Sequence, residues 1–387
     1  MEVKQLYTLL NSVTGELLGK TDLVKEDLSN VVEMGTELLD NASVDGYVKS
    51  LVNHIGKVIF VNRPYTGGTP SVLMDSWEFG SICEKITAEM PEAVENESWS
   101  LTDKQEYNQD IFYQPKVTAK FFNKSVTFEV PMSFTEKQVK QSFSDASQLN
   151  AFISMIYNAV EKSMTVKIDS LTQRTINNMI GETIKHEFST VSDGNYSTST
   201  SVKAVNLLKL YNDKFGTTLT VDKALTDAEF IRYASYMMSS YIDRLGRLST
   251  LFNVGGKERF TSKDMLHVIL LSDFKSSANA YLQSETYHNE YTALPNAETV
   301  PYWQASGKTY AFNDISRIHV NVSDNKEINI SGILGIMYDH EALGVCNTDR
   351  RVTTNYNAKG EFFNNYYKFD ASYFNDLNEN FVVFFIA

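Results

Sequence analysis

Asp339, His340 and Glu341 stand side by side in the stretch GILGIMYDHEALGV, between two apolar runs. Two carboxylates flanking an imidazole could hold a divalent metal or relay a proton. The spacing argues against both. On a strand, neighbouring residues point to alternate faces, so Asp339 and Glu341 share a side while His340 faces away. On a helix, two ligands on one face need the i, i+4 spacing of H-E-x-x-H, which is absent. The segment reads instead as a strand end and a turn capped by Asp339, leading into EALGV. A metal-dependent hydrolase using these three residues stays as the alternative.

Other stretches come close to chemistry and stop short. GELLGKT, Gly15 to Thr21, has three residues between its first glycine and Gly-Lys-Thr, where a phosphate loop needs four. SGKTY, Ser306 to Tyr310, has Tyr302 where the first glycine belongs, and NVGGKERF carries Glu258 in place of the hydroxyl residue. All three read as polar or glycine turns. His54, His186, His267, His288 and His319 are scattered singly, with His267 inside an apolar strand pattern. No G-x-S-x-G elbow occurs, and neither cysteine, Cys83 or Cys346, has a histidine nearby. Glu89, Glu92, Glu95 and Glu97 form an acidic run without the D-x-D-x-D-G order of a calcium loop. No catalytic residue, metal or cofactor is expected.

Composition narrows the class further. The 387 residues are 42% hydrophobic and 21% charged, an ordinary globular balance with ample material for a core. No apolar run is long enough to span a membrane. The N-terminus has no basic segment followed by an apolar stretch, so no secretory signal is expected. Two distant cysteines exclude a disulfide scaffold and suit a reducing compartment. A net charge of -13, with 35 basic against 48 acidic residues, disfavours tight nucleic-acid binding. Twenty-one tyrosines and 23 phenylalanines suit a protein with extensive apolar contact surface.

The elements that would position these residues follow from periodicity. Val24, Leu28, Val31, Val32 and Leu38 recur at helical spacing in a polar leader, and YVKSLVNHIGKVIFVN reads as a helix running into a strand. Val117, Ala119 and Phe121 alternate with polar residues, as do Val126, Phe128 and Val130, with Asn123 to Ser125 between them. This predicts a hairpin. A lone hairpin with so little local core is marginal and needs a surface to lie on.

From Met132 to Ile180 there is neither glycine nor proline. Leu149, Phe152, Ile153, Ile156, Val160, Met164, Ile168, Leu171, Ile176, Met179, Ile180 and Ile184 trace one stripe. The stripe predicts a helix from Ser147 to Ile184, roughly 57 Å long. A compact chain of this size has a radius of gyration of about 21 Å, so the expected molecule is a plate with this helix as its strut. Further on, a helix ends at Gly216. Another starts at a capping box of Thr226 and Glu229 and buries Ile231, Ala234, Met238, Tyr241, Leu245 and Leu248. Strands are expected in MLHVILLS, ISRIHVNV, GILGIMYD and NFVVFFIA, and a helix in DFKSSANAYLQSETYH.

This order of parts, and above all the return GILGIMYDHEALGV with its basic pair Arg350 and Arg351, the aromatic NNYYKFDASYF and a last apolar strand, resembles a known family. It is similar to the major capsid proteins of tailed bacteriophages, the HK-ninety-seven type fold shared with herpesvirus shells. The GKVIFVN and NNYYKF neighbourhoods look most like those of small short-tailed phages. The resemblance implies an α+β fold with an N-terminal arm (1–46), a peripheral domain with a spine helix (47–62 and 132–187) and an extended β-hairpin loop (63–131). It also implies an inserted axial domain (188–325) and a C-terminal return (326–387). The implied function is a virion shell subunit assembling as hexamers and pentamers in the host bacterial cytoplasm. Its implied partner is a portal, with the use of a separate scaffolding protein left open, around double-stranded DNA held without sequence reading and with no membrane. Trp77, Trp99, Phe121, Phe128, Arg350 and Arg351 are the expected assembly residues. An encapsulin-type bacterial compartment shell is the alternative within the same fold, and a surface adhesion module is disfavoured by the missing signal.

Overall fold

The computed structural model describes residues 114–142, 146–189, 196–283, 297–304 and 311–387, with short pieces and single positions between 7 and 112. The expected leader helix, the helix–strand unit 47–62 apart from Ser50, Trp77 and Trp99 lie outside the described residues. The chain divides into two units. One contains Met1–Phe79, Ser125–Ile176 and Gly344–Tyr373, the other Gly80–Lys124, Asn177–Leu343 and Phe374–Ala387.

The first unit holds a three-stranded sheet. Its centre is β11 (Phe362–Asn375), flanked by β10 (Leu343–Asn357) and β3 (Ser125–Thr135). Strands β3 and β11 are antiparallel, in register from Ser125↔Ser372 to Thr135↔Phe362. Period-2 patterning sends Phe363, Tyr367, Phe369 and Ala371 inward. Asn365 is buried with them, accepting from Thr354 Oγ1 at 3.0 Å and donating to the Met132 carbonyl at 3.3 Å. Strand β3 runs straight into α1 (Glu136–Ser142) through a capping box: Gln138 N–H donates to Thr135 Oγ1, and Thr135 N–H donates to Gln138 Oε1.

Helix α2 (Ala146–Glu187) is 42 residues long, slightly longer than the stripe predicts. From Ile153 through Ile156, Val160, Met164, Ile168 and Leu171 to Ile184 every stripe residue whose side chain is described is buried, except the half-buried Phe152. Phe152 meets Phe134 of β3 edge-on at 5.6 Å. Near the C-terminal end, Gly181 lets the ribbon β7 (Ile318–Asn321) and β8 (Glu327–Ile330) come close. A Cβ there would stand 2.6 Å from Val320 and 2.7 Å from Val322. Glu182 accepts from the Ser323 N–H and hydroxyl, while Lys185 donates to the Ser323 carbonyl and to Asp324. Asp324 and Asn325 turn the ribbon with positive φ.

The second unit is built on a five-stranded mixed sheet, ordered β4 (Ala204–Asn206), β12 (Phe381–Phe385), β9 (Ile333–Asp339), β5 (Leu266–Leu271) and β6 (Glu298–Val300). Every residue of β9 and β12 is buried, as central strands covered on both faces require. Helix α3 (Leu207–Phe215) packs on β12 and α6 (Ser272–Gln283) on β5 and β6. Helix α5 (Ala228–Leu245) lies against both helices, after the single turn α4 (Val221–Ala224). Tyr241 of α5 meets Phe384 edge-on at 5.2 Å. A short α7 (Phe312–Ile315) precedes β7.

Three expectations are corrected by these elements. The hairpin of residues 117–122 with 126–130 does not form. Instead β2 (Val117–Phe122) pairs with β1 (Cys83–Ala88) in the second unit, and β3 pairs with β11. Two-residue hairpin turns need positive φ at one or both central positions. Neither Asn123 nor Lys124 has it, so the chain bends out of one sheet into another. The cap of α5 is Asp227, whose carboxylate accepts from the Phe230 N–H at 2.8 Å. Thr226 instead donates back to the Lys223 carbonyl. The helix ends at Leu245, which leaves Leu248 half exposed and off the buried face. Gly216 does close α3, in the left-handed region at φ 65.

Candidate assembly surface

The β1–β2 ribbon pairs Glu84 with Phe121, Ile86 with Ala119 and Ala88 with Val117. Residues opposite one another share a face, so Ile86, Ala88, Val117, Ala119 and Phe121 lie together. Ile86 is 64% exposed, Val117 57% and Phe121 61%. Large apolar side chains at this exposure, contiguous on one face, mark a contact surface rather than scattered surface hydrophobes.

The opposite face carries Lys85 directly across from Lys120. Lys85 Nζ reaches Glu379 at 2.7 Å, Glu341 at 2.9 Å and Asp376 at 3.4 Å. Lys120 Nζ reaches Asp376 at 2.8 Å, and Arg259 Nε reaches Glu379 at 3.0 Å. Burial alone would raise the Asp376 pKa, but the Lys120 bond and the Asn378 N–H hold it below the usual carboxylate value. Burial likewise pulls Lys85 down, and its bonds to Glu379 and Glu341 outweigh this, leaving its pKa raised. At the root of the ribbon Phe122 packs on Phe374, ring centroids 5.0 Å apart.

The Asp339-His340-Glu341 trio is dispersed. Asp339 is buried at the end of β9, where Thr261 Oγ1 donates to its carboxylate at 2.8 Å and the Glu341 N–H at 2.9 Å. The capped turn expected from the sequence is this one. His340 Nδ1 faces His267 Nε2 at 3.2 Å, and Glu341 turns to Lys85. Three side chains with three separate partners do not converge on one ion.

The remaining candidates sort as follows. Of the expected assembly residues, Phe121 is on the exposed ribbon face. Phe128 faces Phe369 across β3 and β11 at 5.2 Å and is half buried within its own unit. Arg351 donates to Asp349 and Asp370, each at 2.7 Å, and the Arg350 N–H donates to Asp349. The Gly15 and Ser306 loops apart from Glu16, His54, His288, and Glu89, Glu92 and Glu97 lie outside the described residues. The 253–257 turn is closed by Asn253, which accepts from the Lys257 N–H at 2.7 Å and donates to its carbonyl at 2.6 Å. His319 pairs with Glu327, and Cys346 is a buried thiol outside any disulfide. No described helix is long and apolar enough to cross a membrane. Ile86, Lys85 and the Asp376–Glu379 turn escaped the sequence reading. CEKITA and VTAKFF do alternate, but nothing local says that they pair.

Set beside solved structures, the chain shares its fold with the capsid of Staphylococcus phage Andhra. The TM-score is 0.50 at 10% identity, over 84% of this chain and 86% of that one. The mature capsid of bacteriophage PhiM1 is also similar, at TM-score 0.44 and 7% identity over 84% and 88% of the two chains. The Andhra match gives the fold, that of a phage capsid subunit. No curated protein sequence matches the chain. The profile of the Phi29-like phage major capsid proteins matches residues 10–385, and the chain belongs to that family. It is a structural protein that associates with itself to form the capsid of the virion.

Proposed function

We propose that the subunit closes an icosahedral head as hexamers and pentamers, by laying the apolar face of the β1–β2 ribbon on a neighbouring copy. The exposure of Ile86, Val117 and Phe121 carries this reading. On it, 63–131 is the extended loop that reaches the neighbour, 47–62 with 132–187 the peripheral domain, and 188–325 the axial domain. Residues 1–46 form the arm, and 326–387 the return. Assembly takes place in the host bacterial cytoplasm, with a portal at one vertex and a separate scaffolding protein. The net charge of -13 suits a wall that encloses double-stranded DNA without gripping its phosphates. The role is structural rather than enzymatic: Asp339, His340 and Glu341 each have a structural partner.

The test is assembly of wild type, Phe121→Ser and Ile86→Ser, each with and without a scaffolding protein, followed by size exclusion and negative-stain imaging. Wild type is expected to form capsomers, sheets or shells, and both variants to accumulate as folded 43.8 kDa subunits. Normal shells from both variants would overturn the ribbon as the docking surface.

A further inference from the structure

The Lys85–Lys120 rung is at odds with its own ribbon. Like charges directly opposite on an antiparallel pair repel and weaken it, and a two-stranded ribbon is marginal even without that burden. The rung is matched from outside by the turn between β11 and β12. Asp376 spans both lysines, at 3.4 Å from Lys85 and 2.8 Å from Lys120. Glu379 joins Lys85 to Arg259, and Glu341 adds a third carboxylate to Lys85. Three cations and three carboxylates therefore meet at one rung. Two of the carboxylates, Asp376 and Glu379, are almost wholly buried.

The acidic side of this cluster is built to stay in place. The Asp376 N–H donates to the Ala342 carbonyl at 2.7 Å, and its carboxylate accepts from the Asn378 N–H at 3.0 Å. The Gly255 N–H donates to the Leu377 carbonyl at 2.8 Å. A Cβ on Gly255 would stand 2.0 Å from Asn378 Oδ1, so the loop and the turn are in close contact. The ribbon has the Phe122–Phe374 contact at its root and this rung, and beyond them its other face is open.

We propose that the Lys85–Lys120 rung and the Asp376–Glu379 turn form an ionic clamp that sets the pose in which the ribbon holds its apolar face toward another copy, and that opens on acidification. This rests on the docking reading for its consequence but not for its existence. The groups facing the rung are Glu341 from the turn after β9, Asp376 and Glu379 from the turn after β11, and Arg259 from the 246–262 loop. The lowered pKa of Asp376 means that its share of the clamp is full above the unfolded-chain value of 3.8 and is lost as pH falls through the folded value. The raised pKa of Lys85 means that its share is full below 10.5 and is lost as pH rises through the folded value. The clamp is closed through the neutral range.

Hydrogen–deuterium exchange on the unassembled full-length protein tests this directly. At neutral pH, Asp376→Asn and Lys85→Met are each expected to speed amide exchange in 83–88 and 117–122 about tenfold or more, with 333–339 and 381–385 unchanged. Lys85 lies on the ribbon outside the sheet core, so its variant keeps the test sound should the buried Asp376 change unfold the chain. Wild type taken far enough below pH 3.8 to protonate Asp376, after correction for intrinsic exchange, should show the same selective loosening. Unchanged ribbon protection in Lys85→Met would overturn the clamp. Assembly of Phe121→Ser and Ile86→Ser separates the two readings. A loosened ribbon in Lys85→Met, beside normal shells from Phe121→Ser and Ile86→Ser, keeps the clamp and refutes docking. A protected ribbon in Lys85→Met, beside failed shells in Phe121→Ser, does the reverse.

Discussion

Asp339 shows how a residue with catalytic chemistry becomes a structural one. Its carboxylate is buried at a strand end and accepts from the Thr261 hydroxyl and the Glu341 N–H, while Asn380 donates to the same Thr261 hydroxyl at 3.1 Å. Replacing it by Ala leaves both donors unmatched in a desolvated turn, and about 1–3 kcal/mol of stability should be lost. A urea melt of Asp339→Ala against Asp339→Asn, which keeps an acceptor oxygen, should show most of the loss in the first only. His267 offers a second test. Burial, and then the facing His340, hold its pKa below the ordinary histidine value. As pH falls through 6.5 the unfolded chain takes up a proton that the folded chain resists, so stability falls with it. Between about pH 7.5 and 5.5 the wild type should lose urea resistance faster than His267→Gln. Parallel curves would refute the assignment.

At the scale of elements, α2 concentrates the largest consequences. Ile156→Pro removes a hydrogen bond and a buried side chain from the middle of a 42-residue helix, at a cost of about 3 kcal/mol or more. The variant should be insoluble or unfolded on expression, and normal assembly would refute a continuous helix. Gly181→Ala sets two effects against each other. Alanine gains about 0.8–1.0 kcal/mol of helix propensity, but its Cβ meets two valine methyl groups at 2.6 and 2.7 Å, and overpacking of this kind costs about 1–3 kcal/mol. The clash should win, giving a lower melting temperature. Adding Val320→Ala should restore part of it by removing the nearer methyl group.

For the whole molecule, net charge and apolar contact act in opposite directions. Subunits at -13 repel one another when they assemble, whereas the apolar contact proposed for Ile86, Val117 and Phe121 would be insensitive to salt of this strength. With a screening length of about 10 Å at 0.1 M, raising sodium chloride from about 0.05 to 0.3 M should lower the protein concentration at which shells appear. Light scattering against subunit concentration measures this. A rise in that concentration would mean that attractive charge pairs, not apolar faces, hold the copies together.

The helices and core strands were legible because their patterns are local. The stripe from Ile153 to Ile184 carries a 3.6-residue period through a stretch with no proline, and GILGIMYD and NFVVFFIA are apolar runs that only a buried strand accommodates. The turn capped by Asp339 was legible too, and it is this turn after β9, not strand alternation, that parts His340 and Glu341. Pairing was another matter. Whether 117–122 lies beside 83–88 or 126–130 depends on backbone angles at Asn123 and Lys124, and on which distant segment offers a matching edge. The opposition of Lys85 and Lys120, and the placing of Asp376 and Glu379 over them, joins residues more than 250 positions apart. Sequence by itself determined the elements and the class of shell subunit they belong to, since periodicity and order are properties of the chain. Only the tertiary structure decided which face of the ribbon is bare and which is clamped, because register and charge contact exist only once distant segments share a sheet edge.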